Sequence, residues 1–185
     1  NGEIYNYREI RSQHSNYSWN TQGDSEVILA LLDASKSKHS GVLNARQHAQ
    51  WIAQLNGMYA FALWDAEARH LLLARDPLGI KPLVRTSVDG TLLFASESKA
   101  LRAHEGHIPA LDEQALVARL AWEYPLDGTT LLKGVTQIRP GTVEVWALDL
   151  AGKAKMIDRA IIEQQRVNPS KTWSPEIDAE HLLET

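Results

Sequence analysis

Cysteine is absent from all 185 positions, which excludes disulfides and thiolate-ligated metal and fits a reducing compartment. No apolar run approaches the length of a membrane span. The basic residues are scattered, and a net charge of −4 with a pI near 6.0 leaves no nucleic-acid footprint. There is no phosphate-cradling Walker loop and no internal repeat. Of the seven histidines only His104 and His107 lie close together, in a glycine-containing loop. Without a second ligand pair at zinc spacing they read as solvated loop residues, so no metal site is expected. An initiator Met is missing too, and position 1 reads as a cut end.

What is present is enough chain for one domain with a real core. It opens on Asn1-Gly2-Glu3-Ile4-Tyr5-Asn6-Tyr7. Asn-Gly is a strong signal for a tight turn, since both residues tolerate positive φ. The sharper alternative is an oxyanion hole, for which the dipeptide alone is a weaker signal than for the turn. A glycine N–H can approach a substrate closely, and the Asn carboxamide supplies a second donor to the same oxygen. Asn6 can cap a short helix carrying Tyr7, Ile10 and Arg11. Residues 13–23 are polar, with a short strand expected near Tyr17 and Trp19. Asp24 reads as the N-cap of a helix with Val27, Ile28, Leu31 and Leu32 inward.

Further on, a helix is expected over 44–55, with Trp51, Ile52 and Leu55 inward. Residues 58–64 read as a strand buried on both faces, and 70–75 as its hairpin partner. In Arg75-Asp76-Pro77-Leu78-Gly79-Ile80-Lys81-Pro82 the charged side chains are expected to pair with one another in a partly buried loop. Strands are expected over 82–87 and 92–96, joined by a turn at Asp89-Gly90, and a short helix over 96–101. A helix from Asp112 should turn Leu116, Val117, Leu120 and Ala121 inward. Residues 122–130 read as a loop and 143–148 as a strand. A Pro- and Ser-containing linker over 166–175 precedes the start of one more helix.

Five blocks, in order, resemble the glutaminase domain of glutamine-dependent asparagine synthetases, which are class II glutamine amidotransferases. The first is the opening heptad with Glu9-Ile10-Arg11. The second is Gly23-Asp24-Ser25-Glu26-Val27-Ile28. The third is Leu55-Asn56-Gly57-Met58-Tyr59-Ala60-Phe61-Ala62-Leu63-Trp64-Asp65. The others are Arg75 to Leu83 and Phe94-Ala95-Ser96-Glu97-Ser98-Lys99-Ala100-Leu101. A further match follows at Gly134-Val135 and Ile138-Arg139-Pro140-Gly141, so the resemblance covers residues 1 to about 141 and is weaker beyond.

The resemblance implies an α+β four-layer sandwich of the N-terminal-nucleophile hydrolase type. Two mostly antiparallel sheets lie between helical layers, incomplete at the N-terminus. It implies that Asn1 and Gly2 form the oxyanion hole and that Asp24, with Glu3, holds the amino-acid end of L-glutamine. Glu3 also reads as a solvated strand-edge residue. Family members use an N-terminal Cys nucleophile, expected upstream of Asn1, so this chain alone should not hydrolyse glutamine. The amidotransferase domain is expected over 1–152. Residues 153–185 would be a linker and the start of a synthetase domain in which ATP and Mg activate aspartate. A cytoplasmic protein follows, and a homodimer is compatible with it. Two alternatives stand beside this reading: a non-catalytic scaffold of a synthetase-like amide-forming enzyme, and another class II amidotransferase with a different ammonia acceptor.

Overall fold

A computed structural model describes residues 1–124 and 128–163. The sequence expectations for residues 166–185 lie outside them. The chain forms β1 (Gly2–Ile4), α1 (Tyr7–Gln13), α2 (Val27–Lys38), α3 (Ala45–Ile52), β2 (Gly57–Asp65) and β3 (His70–Arg75). Then come β4 (Val84–Val88), β5 (Thr91–Ala95), a 3-10 turn (Ser98–Ala103), α4 (Glu113–Trp122), β6 (Thr136–Gln137), β7 (Thr142–Leu148) and β8 (Ala154–Ile161). Two antiparallel sheets result, one ordered β1-β2-β3-β7-β8 and the other β5-β4-β6.

The layers follow from where the apolar side chains point. Val27, Leu31, Trp51, Ile52 and Leu55 of the helical layer pack on Ile4, Tyr59, Leu63, Leu72 and Val145 of the larger sheet. The opposite face of that sheet presents Ala60, Leu73 and Trp146 to Leu83 and Ile138. Val84, Leu101 and Val135 then bury the outer face of the smaller sheet beneath the 3-10 turn. An ion pair bolts the two sheets together. Arg85 of β4 donates from Nε (2.7 Å) and Nη2 (3.1 Å) to Glu144 of β7, and the Trp146 indole also donates to that carboxylate. This is the expected sandwich of two sheets flanked by helices.

Several local expectations are met through identifiable chemistry. Asn44 caps α3 with a reciprocal Gln47 capping box. Asp89 (φ 51°) and Gly90 (φ 86°) supply the two positive-φ positions of the β4–β5 turn.

Other expectations are corrected. Asn6 does not cap α1 through its side chain. Its carboxamide instead donates to the Gln54 carbonyl and accepts from Asn56 N–H, clamping the β1 exit to the start of β2. Tyr17 to Trp19 is not a strand. The rings meet edge-on, and Arg11 stacks 4.2 Å from the Trp19 ring, which folds the segment into a local knot. The strand over 58–64 is not buried on both faces, because Ala62 and Trp64 are exposed while Leu63 and Asp65 are buried. Arg75 and Asp76 do not form the expected mutual pairs. Arg75 donates to the Gly79, Lys81 and Ile138 carbonyls and to Gln137 Oε1, and Asp76 accepts from Ile80 N–H and Lys81 N–H. On α4, Val117 and Leu120 point outward, 66% and 75% exposed, and only Ala115 is buried. His107 is buried rather than solvated. Past Gly152 the chain re-enters the larger sheet as β8, paired with β7 along its length.

Candidate active site

The opening strand β1 is placed by glycine. Gly2 sits at φ 139°, and a Cβ there would collide with the Met58 carbonyl oxygen and come within 2.7 Å of Tyr59 Cα. Gly57 on the facing strand is equally intolerant, since its Cβ would meet the Glu3 carbonyl oxygen and Ile4 Cα. These two positions let β1 lie directly against β2, with Gly2 opposite Tyr59 and Ile4 opposite Gly57.

The register decides which N–H groups are available. Asn1 exchanges main-chain bonds with Ala60 (2.8 and 3.1 Å), and Tyr5 N–H bonds to the Asn56 carbonyl. Odd-numbered residues of β1 therefore face β2. Successive N–H groups on a strand point to opposite sides, so Gly2 and Ile4 direct theirs away from β2. The Ile4 N–H is taken by Asp24 Oδ2 at 2.8 Å. That of Gly2 meets no hydrogen-bond partner among the described residues. The two donors are separated by two strand residues, about 7 Å.

Asp24 is not the N-cap of α2. The helix begins at Val27 with Glu26 at the cap position, and Glu26 makes no side-chain cap bond. Asp24 lies in the turn before it, its carbonyl accepting from Val27 N–H and its Oδ1 from the Ser25 hydroxyl at 3.2 Å. A carboxylate offers about four lone-pair sites, so two bonds leave it capacity for a ligand. Glu26 folds back instead. It accepts from Asn20 N–H (2.7 Å), Thr21 N–H (2.7 Å) and the Thr21 hydroxyl (2.6 Å), with Asn20 Nδ2 at 3.5 Å. The Thr21 hydroxyl, followed by the Asn20 N–H, holds its carboxyl down at about 2 against the opposing effect of burial.

All four residues singled out from the sequence meet in one place. Asn1, Gly2, Glu3 and Asp24 line a recess of about 400 Å³, together with Ser25 from the turn before α2, Ile28 from its first turn and residues 59–64 of β2. The Asn1 carboxamide donates across to Ser96 Oγ at 3.4 Å, tying it to the end of β5. Glu3 is exposed, with no side-chain bond recorded. Sequence reasoning missed Ser96 and Glu26. The Glu26 signal lay in the Gly23-Asp24-Ser25-Glu26 block itself, where a second carboxylate sits two residues beyond the first. Among the described residues no group of acidic, His or Cys side chains could hold a metal ion, and no helix is long and apolar enough to cross a membrane.

The recess thus offers a main-chain donor beside a carboxamide, and a carboxylate about one amino-acid length away. It lies at the edge of an N-terminal-nucleophile hydrolase-like sandwich. The solved structure of an allosteric regulatory enzyme of purine biosynthesis shares this fold, with a TM-score of 0.57 over 89% of this chain and 28% of that one, at 20% identity. A family model described as a glutamine amidotransferase domain matches residues 1–155, and the chain belongs to that family.

Among curated relatives, the glutamine-hydrolysing asparagine synthetase 1 of Bacillus subtilis is 35% identical over 144 residues. A putative glutamine-hydrolysing asparagine synthetase of Mycobacterium tuberculosis is 39% identical over 148 residues. The matched regions cover 77% and 76% of this chain but only 21% of each relative.

Proposed function

We propose that this chain is the glutamine-binding region of an asparagine synthetase and that the recess at β1 holds L-glutamine. One observation carries the reading. The Asp24 carboxylate is fixed on Ile4 N–H, one strand repeat from the outward N–H of Gly2. In an extended glutamine the α-ammonium and the side-chain amide are separated on the same length scale. Asp24 then takes the ammonium, since a cation leaving water requires an anionic partner. Glu3 adds negative charge at the rim. The side-chain carbonyl oxygen falls to Gly2 N–H and Asn1 Nδ2, which stabilise the oxyanion when a nucleophile adds to the amide carbon.

The nucleophile is proposed to be an N-terminal Cys preceding Asn1 in the longer protein, with its own α-amine as base. The thiolate adds to the carbonyl carbon, and the tetrahedral intermediate collapses with loss of ammonia. Water then cleaves the thioester to glutamate. Ammonia would pass to an ATP- and Mg-dependent domain that amidates aspartate. The aspartate acceptor, the cytoplasmic setting and a homodimeric assembly belong to the same proposal and follow from the family alone. The amidotransferase domain is proposed to run past residue 152 to the end of β8 at Ile161, with any further domain beyond it.

The test is glutamate release from L-glutamine by the full-length protein, with and without its N-terminal residue changed to Ala. Release that disappears on substitution supports the reading, and the 185-residue chain should release none. No release from the intact protein overturns it in favour of a non-catalytic scaffold.

A further inference from the structure

We propose that Glu26 is a positioning residue for the glutamine site, clamping the loop over 20–26 so that the Asp24 carboxylate stays on β1. Glu26 does not reach the Asn1–Gly2 edge. Its carboxylate is turned away, spent on Asn20 N–H, Thr21 N–H and the Thr21 hydroxyl. Those bonds close the loop on itself and leave Gln22, Gly23, Asp24 and Ser25 as the arc between the clamp and the helix. The other end of the arc is fixed by Val27, which is fully buried, and by the Val27 N–H to Asp24 carbonyl bond. Asp24 sits on this arc, and its Oδ2 to Ile4 N–H bond is the arc's recorded hydrogen bond to β1.

Gly23 lies next to Asp24, and a Cβ built on it meets nothing within 4 Å. Packing at Gly23 therefore does not hold this arc. Its own bonds are few, Asp24 to Ile4 N–H and the Asp24 and Ser25 carbonyls to Val27 and Ile28 N–H, and Glu26 fixes the residues just before it, Asn20 and Thr21. An unclamped arc has backbone freedom to lose again each time Asp24 captures an ammonium group. The clamp removes that cost in advance. Glu26 should consequently act on glutamine affinity rather than on the chemical step.

The inference rests on Asp24 as the ammonium anchor, but the Asp24–Ile4 bond can be read without glutamine. In the 185-residue chain, amide hydrogen exchange at Ile4 is compared with that at Leu73, which sits in the centre of the sheet. Glu26→Ala should speed Ile4 exchange by on the order of tenfold or more, the scale of one charge-assisted bond, with Leu73 unchanged. Glu26→Gln, which keeps one acceptor oxygen, should recover part of the protection. Unchanged Ile4 exchange overturns the proposal.

If Glu26→Ala accelerates Leu73 equally, the fold has loosened as a whole and Thr21→Val decides. It removes only the hydroxyl donor, and Ile4 exchange unmoved in that variant also overturns the proposal. In the full-length protein Glu26→Gln should raise KM for glutamine severalfold with kcat within about twofold. A fall in kcat at constant KM would contradict a positioning role. Absence of any glutamate release from the unsubstituted protein would instead sink the glutamine reading and leave the exchange result standing.

Discussion

Two loops in this molecule use the same device for different ends. In the loop over 20–26, Glu26 accepts two successive main-chain N–H groups, from Asn20 and Thr21. In the loop over 75–82, Asp76 does the same with Ile80 and Lys81. The second loop seals Arg75 and Asp76 from solvent. Asp76 is fully buried, its carbonyl accepts from Gly79 and Gly141, and the neighbouring Arg75 is spent on three carbonyls and a carboxamide. The first loop has a remainder. Asp24 keeps lone pairs free at the rim of a recess, beside a main-chain N–H with no recorded partner. A carboxylate that holds a loop is therefore no sign of a site by itself. The sign is what stays unspent once the loop is held.

That contrast can be broken experimentally, and Gly2→Ala should do the most. Its Cβ meets the β2 main chain in a backbone region disfavoured for L-residues, so β1 must shift and the donor move with it. Glutamate release by the full-length protein should fall by on the order of 10²–10³-fold, the loss typical of one oxyanion donor. Undiminished turnover would detach Gly2 from the chemistry. Asp76→Ala should leave glutamine affinity alone and cost stability instead, about 2 kcal/mol in urea unfolding, because two part-buried N–H groups lose a fully buried acceptor. An altered KM with stability retained would reverse the assignment of the two loops.

A third loss, of similar size, is set by pH. Burial pushes the His48 imidazole down to about 4, and the ring nitrogen Nδ1 must be unprotonated to accept from the Trp51 indole at 3.1 Å. The folded pKa lies below the unfolded value near 6.5. Unfolded chains therefore bind more protons as pH falls from about 6.5 to 4, and stability declines over that window. The total is about 3 kcal/mol, at 1.36 kcal/mol for each unit. Urea unfolding from pH 7.5 to 4 reads it, and His48→Gln should flatten that part of the profile. Glu26 acts in a lower window. Its folded pKa is depressed, so its clamp is fully present above about 4.5 and is lost as pH falls through about 2. Leu120→Asp should matter least, within about 0.5 kcal/mol, because that side chain points to solvent. A large loss would place α4 against the fold after all.

The four recess residues were legible because short motifs carried them, and the strands because apolar runs and turn residues bounded them. Periodicity failed on α4. An apolar stripe states that a helix has something to cover, not whether this chain supplies the cover, and Val117 and Leu120 remain exposed. Asn6 and Asp24 misled for a related reason. Both are good cap residues by type, but their side chains found main-chain partners on another segment, Gln54 and Asn56 for one and Ile4 for the other. Local propensity cannot weigh a partner 20 or 48 residues away. Arg75 and Asp76 show the same limit: opposite charges adjacent in sequence went to backbone groups instead of to each other.

The account turns on Asp24 as the anchor of the amino-acid end of glutamine. The most direct measurement is steady-state glutamate release by the full-length protein carrying Asp24→Asn, with L-glutamine and with an analogue lacking the α-amino group. The account predicts a KM for L-glutamine raised on the order of a hundredfold, as expected when a desolvated ammonium loses its anion. It predicts little change for the deaminated analogue. An unchanged KM for L-glutamine, or an equal loss with both substrates, would contradict it.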